Sequence, residues 1–479
     1  MIVLRPDQEK AVNDMRVALR DHDSILFRGP TGVGKTVIAS YMAQQVTARR
    51  RKIIFGVHRI ELATQTAKTF DQFGIKYGFI ASGFGANPFA KAQIASADTL
   101  RNRPELLKDC SLFVPDEAHL WASRTRAGLI ASAREAGAKV VGLSATPQRL
   151  DGKPLDMFET IVEGPSEAWL IENGHLSDYR AYAPSRPDLT GLHTRAGDYV
   201  VEELEDRFDK PAIHGDAIES WRKYAEGKRT MVFAISRAHG QHVTDAYNAA
   251  GIPAIYIDGT TPHGERRARI AAFADGRALV LVSIALCIEG FDLSAQVGRD
   301  VPVEAVQLLN PTKSLPRARQ MMGRALRKKP YPAVILDHVN IIMNADGTVN
   351  HGFPDDDHEW SLAGREGKRQ DGVPRLDIKQ CESCFGAYRS ALPACPYCSS
   401  ERVVKERKVE QIEGELEEIR RAAQAKRQMR SSRDLDSVAR LAVERGYKVG
   451  WVHKRMQTIG KPVSFSKAME AYQDARSAA

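Results

Sequence analysis

The chain has 479 residues, too many for one ordinary core, and roughly two to four domains are expected at that length. Hydrophobic residues make up 43% and charged residues 27%, the balance of a soluble globular protein, and no run approaches the roughly 20 apolar residues of a membrane span. Met1 to Pro6 lack the charged region and long apolar core of a signal peptide, so a cytoplasmic location is expected. The formal charge of +9 favours a polyanionic partner, nucleic acid being the commonest, although a solvated basic surface gives the same total.

From 24 to about 147, apolar runs at 25–27, 53–57, 112–114 and 140–143 alternate with helix-like segments, and each run ends in a polar loop. Strands buried on both faces of a parallel sheet have this pattern, and such sheets gather ligand groups at the carboxyl ends of their strands. The loop after the first run, Gly29-Pro30-Thr31-Gly32-Val33-Gly34-Lys35-Thr36, fits the phosphate-binding pattern G-x-x-x-x-G-K-[ST]. Its glycines let backbone N–H groups approach phosphates, and the helix N-terminus that follows favours negative charge. Lys35 is expected to bridge the β- and γ-phosphates and the Thr36 hydroxyl to ligate magnesium. A chance glycine-rich turn would lack the strand before it and the helix after it.

The third run leads into Asp116-Glu117-Ala118-His119. Asp116 suits the magnesium shell, and Glu117 suits orienting and deprotonating an attacking water. His119 is expected to hydrogen-bond toward a second lobe. An isolated acidic pair is usually a solvated turn, but this one follows a strand at the right distance from the P-loop.

A second series of runs, at 231–234, 254–257, 279–282, 306–309 and 334–336, repeats the strand-then-helix rhythm without a P-loop. Between its last two runs stands Gln320-Met321-Met322-Gly323-Arg324-Ala325-Leu326-Arg327, which predicts Arg324 and Arg327 at i and i+3 on one helix face with Gln320 a turn earlier. Such a face can meet a γ-phosphate from the opposite lobe as an arginine finger does, worth on the order of 10³–10⁵ in rate. Gly323 would permit the close approach. The predicted fold is therefore α/β, two doubly wound parallel-sheet lobes, and the three fragments together imply a nucleoside-triphosphate-driven motor on nucleic acid.

The expected domain limits are 1–150 for the ATP-binding lobe, 151–229 for a connection with a helix around 217–224, and 230–345 for the second lobe. An irregular segment with a cysteine module follows at 346–400, then a charged helix at 401–433, basic from 420, and a small helical module at 434–479 with Tyr447 and Trp451 in its core. Cys381-x-x-Cys384, ten residues, then Cys395-Pro396-Tyr397-Cys398 has the double-knuckle spacing of a zinc ribbon. An iron site of the same geometry and a reactive dithiol pair are the alternatives. Cys110 and Cys287 sit in apolar, strand-like context. Because the cysteines follow the last ATPase motif, truncation near Pro374 is expected to leave both lobes intact.

These motifs, in this order, resemble superfamily-two DEAD/DEAH-box helicases, most closely the RadD-like and type III restriction-like group, over roughly residues 1–360. The resemblance implies two tandem RecA-like lobes with ATP between them. It makes Arg5-Pro6-Asp7-Gln8 similar to the adenine-reading Q motif, so Arg5 and Gln8 join Gly29, Thr31, Gly32, Gly34, Lys35 and Thr36 as nucleotide-binding residues. His58-Arg59-Ile60-Glu61-Leu62 with Gln65 looks like the backbone-touching motif Ia, Ser144-Ala145-Thr146 like motif III, and Phe233 to Arg237 like motif IV. Glu289-Gly290-Phe291-Asp292 matches motif V, which implies Gly290 and Asp292 near nucleotide and ribose. RadD-like proteins also carry C-x-x-C elements behind the motor, in keeping with zinc at Cys381, Cys384, Cys395 and Cys398. Pro115, Asp98 and Asn310 depart from the group, and Pro115 predicts that its strand ends early.

The expected activity is a nucleic-acid-stimulated ATPase and helicase using ATP and magnesium, with DNA favoured over RNA, in repair, recombination or phage DNA metabolism. An RNA-directed motor and a translocase that does not unwind are alternatives, as is an ATP-binding clamp without turnover. Intact Lys35, Glu117 and Arg327 argue against the clamp. No nuclease constellation stands out, and any protein partner is expected at the C-terminal tail.

Overall fold

The computed structural model describes residues 3–149, 151–184, 187–195, 197–284, 293–364, 378–401, 434–444, 447–459 and 461–477. Motif V with Gly290 and Asp292, Cys287, and the charged stretch 402–433 lie outside the described residues. The chain divides into two compact units, Met1–Arg402 and Val403–Ala479.

The first lobe is a seven-stranded sheet of β1 (Ser24–Arg28), β2 (Lys52–Val57), β3 (Tyr77–Ile80), β4 (Ala92–Ser96), β5 (Cys110–Pro115), β6 (Lys139–Ser144) and β7 (Thr160–Glu163). Its order is β3-β4-β2-β5-β6-β1-β7, and every pairing is parallel. All of β1 is buried because helices cover both faces of the sheet, and this accounts for the unbroken apolar runs in the sequence. β5 runs to Pro115 on the β2 side, where Gly56 is its partner, but pairs β6 only at Leu112 and Phe113. A proline without an N–H suits a strand's last residue.

The second lobe is built on eight strands, in the order β12-β13-β11-β14-β15-β8-β17-β16. They are β8 (Tyr179–Tyr182), β11 (Thr230–Phe233), β12 (Ala254–Ile257), β13 (Val280–Ser283), β14 (Ala305–Leu308), β15 (Ala333–Asp337), β16 (Ile378–Gln380) and β17 (Gly386–Arg389). β9 (Thr194–Arg195) and β10 (Asp198–Tyr199) form a separate small hairpin. The segment 151–229 thus gives β7 to one sheet and β8 to the other. Its helix Pro211–Ala225 buries Trp221 against the second sheet, with Trp221 Nε1 donating to Thr230 Oγ1 at 2.6 Å.

The cysteine module is part of the second sheet. β17 pairs antiparallel with β8, Gly386 opposite Tyr182 and Ala387 opposite Ala181, and Tyr397 Oη accepts from the Ala181 N–H at 3.3 Å. Truncation near Pro374 would therefore remove two strands from this sheet, contrary to the expectation of an intact lobe.

In the unit Val403–Ala479, the helices Leu435–Glu444, Val449–Thr458 and Phe465–Ser477 pack around Val438, Ala442, Val452, Met456 and Ala468. Tyr447 and Trp451, with rings 4.8 Å apart, pack against that core. No helix among the described residues is long and apolar enough to cross a membrane.

Candidate nucleotide cleft

Gly29 opens the phosphate loop at the end of β1, and its N–H donates to the Ser144 carbonyl at 2.9 Å, tying the loop to the end of β6. A Cβ at Gly29 would stand 2.7 Å from the Phe27 ring, so only glycine fits. Gly34, at φ +88°, starts the helix Lys35–Ala48, a left-handed conformation that glycine adopts without cost. Lys35 Nζ donates to the Gly29 carbonyl at 3.1 Å and so spans the loop. Gln8 Nε2 at 2.8 Å and Arg5 Nη2 at 3.1 Å both donate to the Val33 carbonyl. The helix Pro6–Asp21 supplies Gln8, and Gln8 Oε1 accepts the Arg5 N–H at 3.1 Å.

Asp116 and Glu117 follow β5 at the same sheet edge. Glu117 has φ +47°, a left-handed conformation rare for a side-chain-bearing residue. Burial pushes Asp116 up to about 7, and the Glu117 charge adds to it. Burial also opposes the Glu117 charge, yet Lys35, His119, His58 and Arg324 hold its carboxyl below the usual value. Burial thus disfavours the Asp116 charge, while the surrounding cations favour that of Glu117. His119 Nδ1 lies 3.0 Å from Ser144 Oγ, which accepts the Thr146 N–H at 3.1 Å. This hydrogen bond joins the acidic box to Ser144-Ala145-Thr146 within the first lobe.

The second lobe contributes the helix Leu315–Gly323, capped at Ser314, whose side chain accepts the Arg317 N–H. The expected single helix carrying both arginines is corrected: the helix stops at Gly323, Arg324 is its C-cap, and Arg327 bridges to Leu176 as a short antiparallel pair. The turn after Gly323 takes up the last helical carbonyls, and the carbonyls beyond that turn are captured from outside. The Ser177 N–H donates to the Leu326 carbonyl at 2.8 Å and Ser177 Oγ to the Arg327 carbonyl at 3.0 Å. Leu176 in turn lies over the phosphate loop, 2.4 Å from where a Cβ on Gly32 would be.

A cavity between the lobes is lined by Thr31, Thr146, Glu167, Arg319, Gln320 and Gly323, among others. Among the described residues, Glu117 Oε2, Thr146 Oγ1 and Gln320 Nε2 are buried with no hydrogen-bond partner, Glu117 Oε2 lying 3.6 Å from His119 Nδ1. Buried polar atoms are normally paired, so unpaired ones drawn from both lobes mark a place prepared for a polar ligand. Sequence reasoning missed Glu167, Arg319, Leu176 and Ser177. None lies in a spacing motif, and only the fold brings them together.

In the cysteine module, Cys381 Sγ lies 3.5 Å from Cys398 Sγ and Cys384 Sγ 3.6 Å from Cys395 Sγ, with all four sulfurs within 4.8 Å of one another. Ser400 holds the Cys398 thiol down to about 6, while burial pushes Cys384 up. Asp209, His214 and His239 form another cluster of possible metal ligands. Here, however, the Ile235 N–H donates to His239 Nδ1 at 3.2 Å, which places the ring proton on the Nε2 that a metal would need.

Comparison with known proteins agrees with this architecture. The model of the type III restriction enzyme res subunit family matches residues 1–149, and that of the helicase conserved C-terminal domain matches 214–329. A 51.5 kDa protein of a Lactococcus phage (isolate 7-9) is 29% identical over 399 residues, covering 82% of each chain. The putative ATP-dependent helicase IRC3 of Saccharomyces cerevisiae is 26% identical over 352 residues, 68% of this chain and 49% of that protein. The chain thus spans about half the length of the yeast relative. The solved structure of the ATP-dependent Type ISP restriction-modification enzyme LlaBIII bound to DNA superposes with a TM-score of 0.52 at 13% identity, over 70% of this chain and 27% of that one, a likeness of fold. With its two family matches falling one on each lobe, the chain is a superfamily-two helicase related to the type III restriction-like group.

Proposed function

We propose that the cleft binds ATP with magnesium on the first lobe, and that hydrolysis, completed by the second lobe, drives the chain along DNA. The observation that carries this reading is the set of buried atoms without a hydrogen bond among the described residues, Glu117 Oε2 and Thr146 Oγ1 on one lobe and Gln320 Nε2 on the other. Loop amides of Gly32, Gly34, Lys35 and Thr36 cradle the phosphates, Lys35 leaves the Gly29 carbonyl for the β/γ-phosphates, and Arg5 and Gln8 read the base. Glu117 accepts the proton of the attacking water, and Gln320, Arg324 and Arg327 stabilise charge on the transferred phosphoryl group. Gly290 and Asp292 are assigned to nucleotide and ribose on the strength of their motif.

Two adjacent carboxylates with Lys35 as the nearby cation leave room for a divalent ion. Thr36 and Asp116 would hold magnesium, which when bound neutralises phosphate charge. Cys381, Cys384, Cys395 and Cys398 suit zinc, since thiolates at about 2.3 Å from a tetrahedral ion stand roughly 3.7 Å apart, close to the two measured sulfur pairs. The +9 charge supports a nucleic-acid track, and the DNA-bound type ISP relative favours DNA.

The test is ATP turnover with no nucleic acid, single-stranded DNA, duplex DNA, forked DNA and single-stranded RNA. Stimulation by DNA above RNA is expected. No turnover in any condition would leave the ATP-binding clamp, and equal turnover in every condition would remove the nucleic-acid track.

A further inference from the structure

The cavity between the lobes has a charged wall that the sequence motifs do not account for. Arg28, the last residue of β1 and the neighbour of Gly29, donates from Nη2 to Glu167 Oε2 at 2.6 Å. Glu167 opens the helix Glu167–Glu172, and its other oxygen lies 3.5 Å from Nη1 of Arg319, the residue before Gln320. Both arginines are buried and Glu167 nearly so; Arg28 Nε lies 3.9 Å from Glu163 Oε2, and among the described residues neither arginine's Nε has a hydrogen bond. One carboxylate thus holds two guanidiniums, one from the strand that carries the phosphate loop and one from the helix that leads to Arg324.

Arg319 is held from behind as well. It donates to the carbonyls of Pro354 and Asp356. That loop is folded on the Asp356 side chain, which accepts the Phe353 N–H at 2.8 Å. A Cβ at Gly352 would lie 2.2 Å from Asp356 Oδ2, so the turn needs its glycine. The cysteine module grips the same loop: Arg389, at the end of β17, donates to Asp356 Oδ1 at 2.6 Å and to Asp355 Oδ2 at 3.2 Å, and stands over the Phe353 ring. Contact therefore continues from the cysteine hairpin through Asp355 and Asp356 to Arg319, Glu167, Arg28 and the phosphate loop.

We propose that Arg319, Glu167 and Arg28 form a charge latch across the nucleotide cleft, braced by Arg389 of the cysteine module, which sets the position of Gln320 and Arg324 over the phosphate loop. These are positioning residues, and the proposal rests on the cleft being the ATPase site. The latch closes on the chain's own groups, so it acts on the alignment of the lobes more than on nucleotide affinity. Misplacing a catalytic group by about 1 Å can cost on the order of 10²-fold in rate.

The experiment compares wild type with Arg319→Met, Arg319→Lys, Glu167→Gln, Arg389→Gln and the double variant Arg319→Met/Arg389→Gln, by DNA-stimulated ATPase kinetics and hydrogen exchange on peptides covering 25–36 and 350–358. Arg319→Met and Glu167→Gln should lower kcat by roughly 10- to 100-fold with KM for ATP within about twofold. Arg319→Lys should recover part of the loss. Arg389→Gln, a change at a partly exposed site, should lower kcat by about three- to tenfold and add nothing to Arg319→Met. Exchange at 25–36, on the far lobe, should quicken in Arg319→Met and Arg389→Gln. An unchanged kcat, a rise in KM alone, multiplying losses in the double variant, or unaltered exchange at 25–36 would each overturn the latch. A wild type without stimulated hydrolysis would defeat the ATPase reading instead, and the exchange data, which need no turnover, would still decide whether the latch joins the lobes. If Arg319→Met fails to fold, Arg389→Gln and Arg319→Lys carry the same comparison.

Discussion

Gly323 of the second lobe backs directly onto Thr31 of the phosphate loop, where a Cβ on Gly323 would stand 3.4 Å from Thr31 Cβ. That is ordinary contact for one methyl group and leaves no room for more. Gly323→Ala should therefore keep kcat within about threefold of wild type, while Gly323→Val should push the lobes apart and lower it by roughly 10- to 100-fold. Steady-state ATPase assays on both variants check this. Equal activities would mean that the lobes do not hydrolyse ATP in this arrangement.

Glu117→Gln should spare ATP binding yet reduce turnover by about 10²–10⁴-fold, because an amide cannot take the water's proton. Lys35→Ala should weaken both, since it removes the cation that meets the phosphates. Arg327→Ala should lower kcat well beyond any change in affinity, as expected of a contact made in the transition state. Binding of a fluorescent ATP analogue, measured beside turnover, separates the three. A Glu117→Gln variant with normal stimulated turnover would show that another group is the base.

The cysteine hairpin belongs to the second sheet, so loss of the proposed zinc should reach the motor. Purified protein is expected to hold one zinc ion per chain by elemental analysis, and Cys395→Ser should lose it together with thermal stability. Truncation after Arg402, by contrast, should leave ATPase activity near wild type. It should also flatten the salt dependence of DNA binding by nearly one unit of log–log slope for each phosphate contact that 420–433 makes. Filter binding across a salt series reads that slope.

Stability should fall in mild acid. Burial holds His58 and His239 down to about 4. In the unfolded chain each takes up a proton near 6.5, so the native state is favoured fully above that pH and loses the advantage as pH falls from about 6.5 to about 4. For His239 the difference amounts to roughly 3 kcal/mol. Urea unfolding at pH 7.5 and pH 5.0 should show the loss, and His239→Gln should flatten it while lowering the plateau.

The fragments proposed for catalysis were legible because each is a local pattern at a strand end: the glycine loop after β1, the acidic pair after β5 and Ser144 at the end of β6. The long apolar strands were legible for the same reason. β8 was not. Tyr179-Arg180-Ala181-Tyr182 has no apolar run, and it becomes a strand because β15 and β17 pair with its two edges. The end of the arginine helix at Gly323 was hidden too, because the groups that capture the next carbonyls come from Ser177, well back in the sequence. Glu167, Arg28 and Arg319 form no spacing pattern, and an ion pair between such distant positions leaves no local mark in composition or periodicity.

Strand β17 has one more consequence. Without it, β8 would present a row of unpaired N–H and C=O groups along the margin of the second sheet, a template on which another chain can add a strand. The cysteine hairpin seals that margin. If the four cysteines hold zinc as proposed, a chain that fails to load it during synthesis risks sticking to its neighbours, and growth in metal-poor medium should yield aggregates that are rich in intermolecular β-structure.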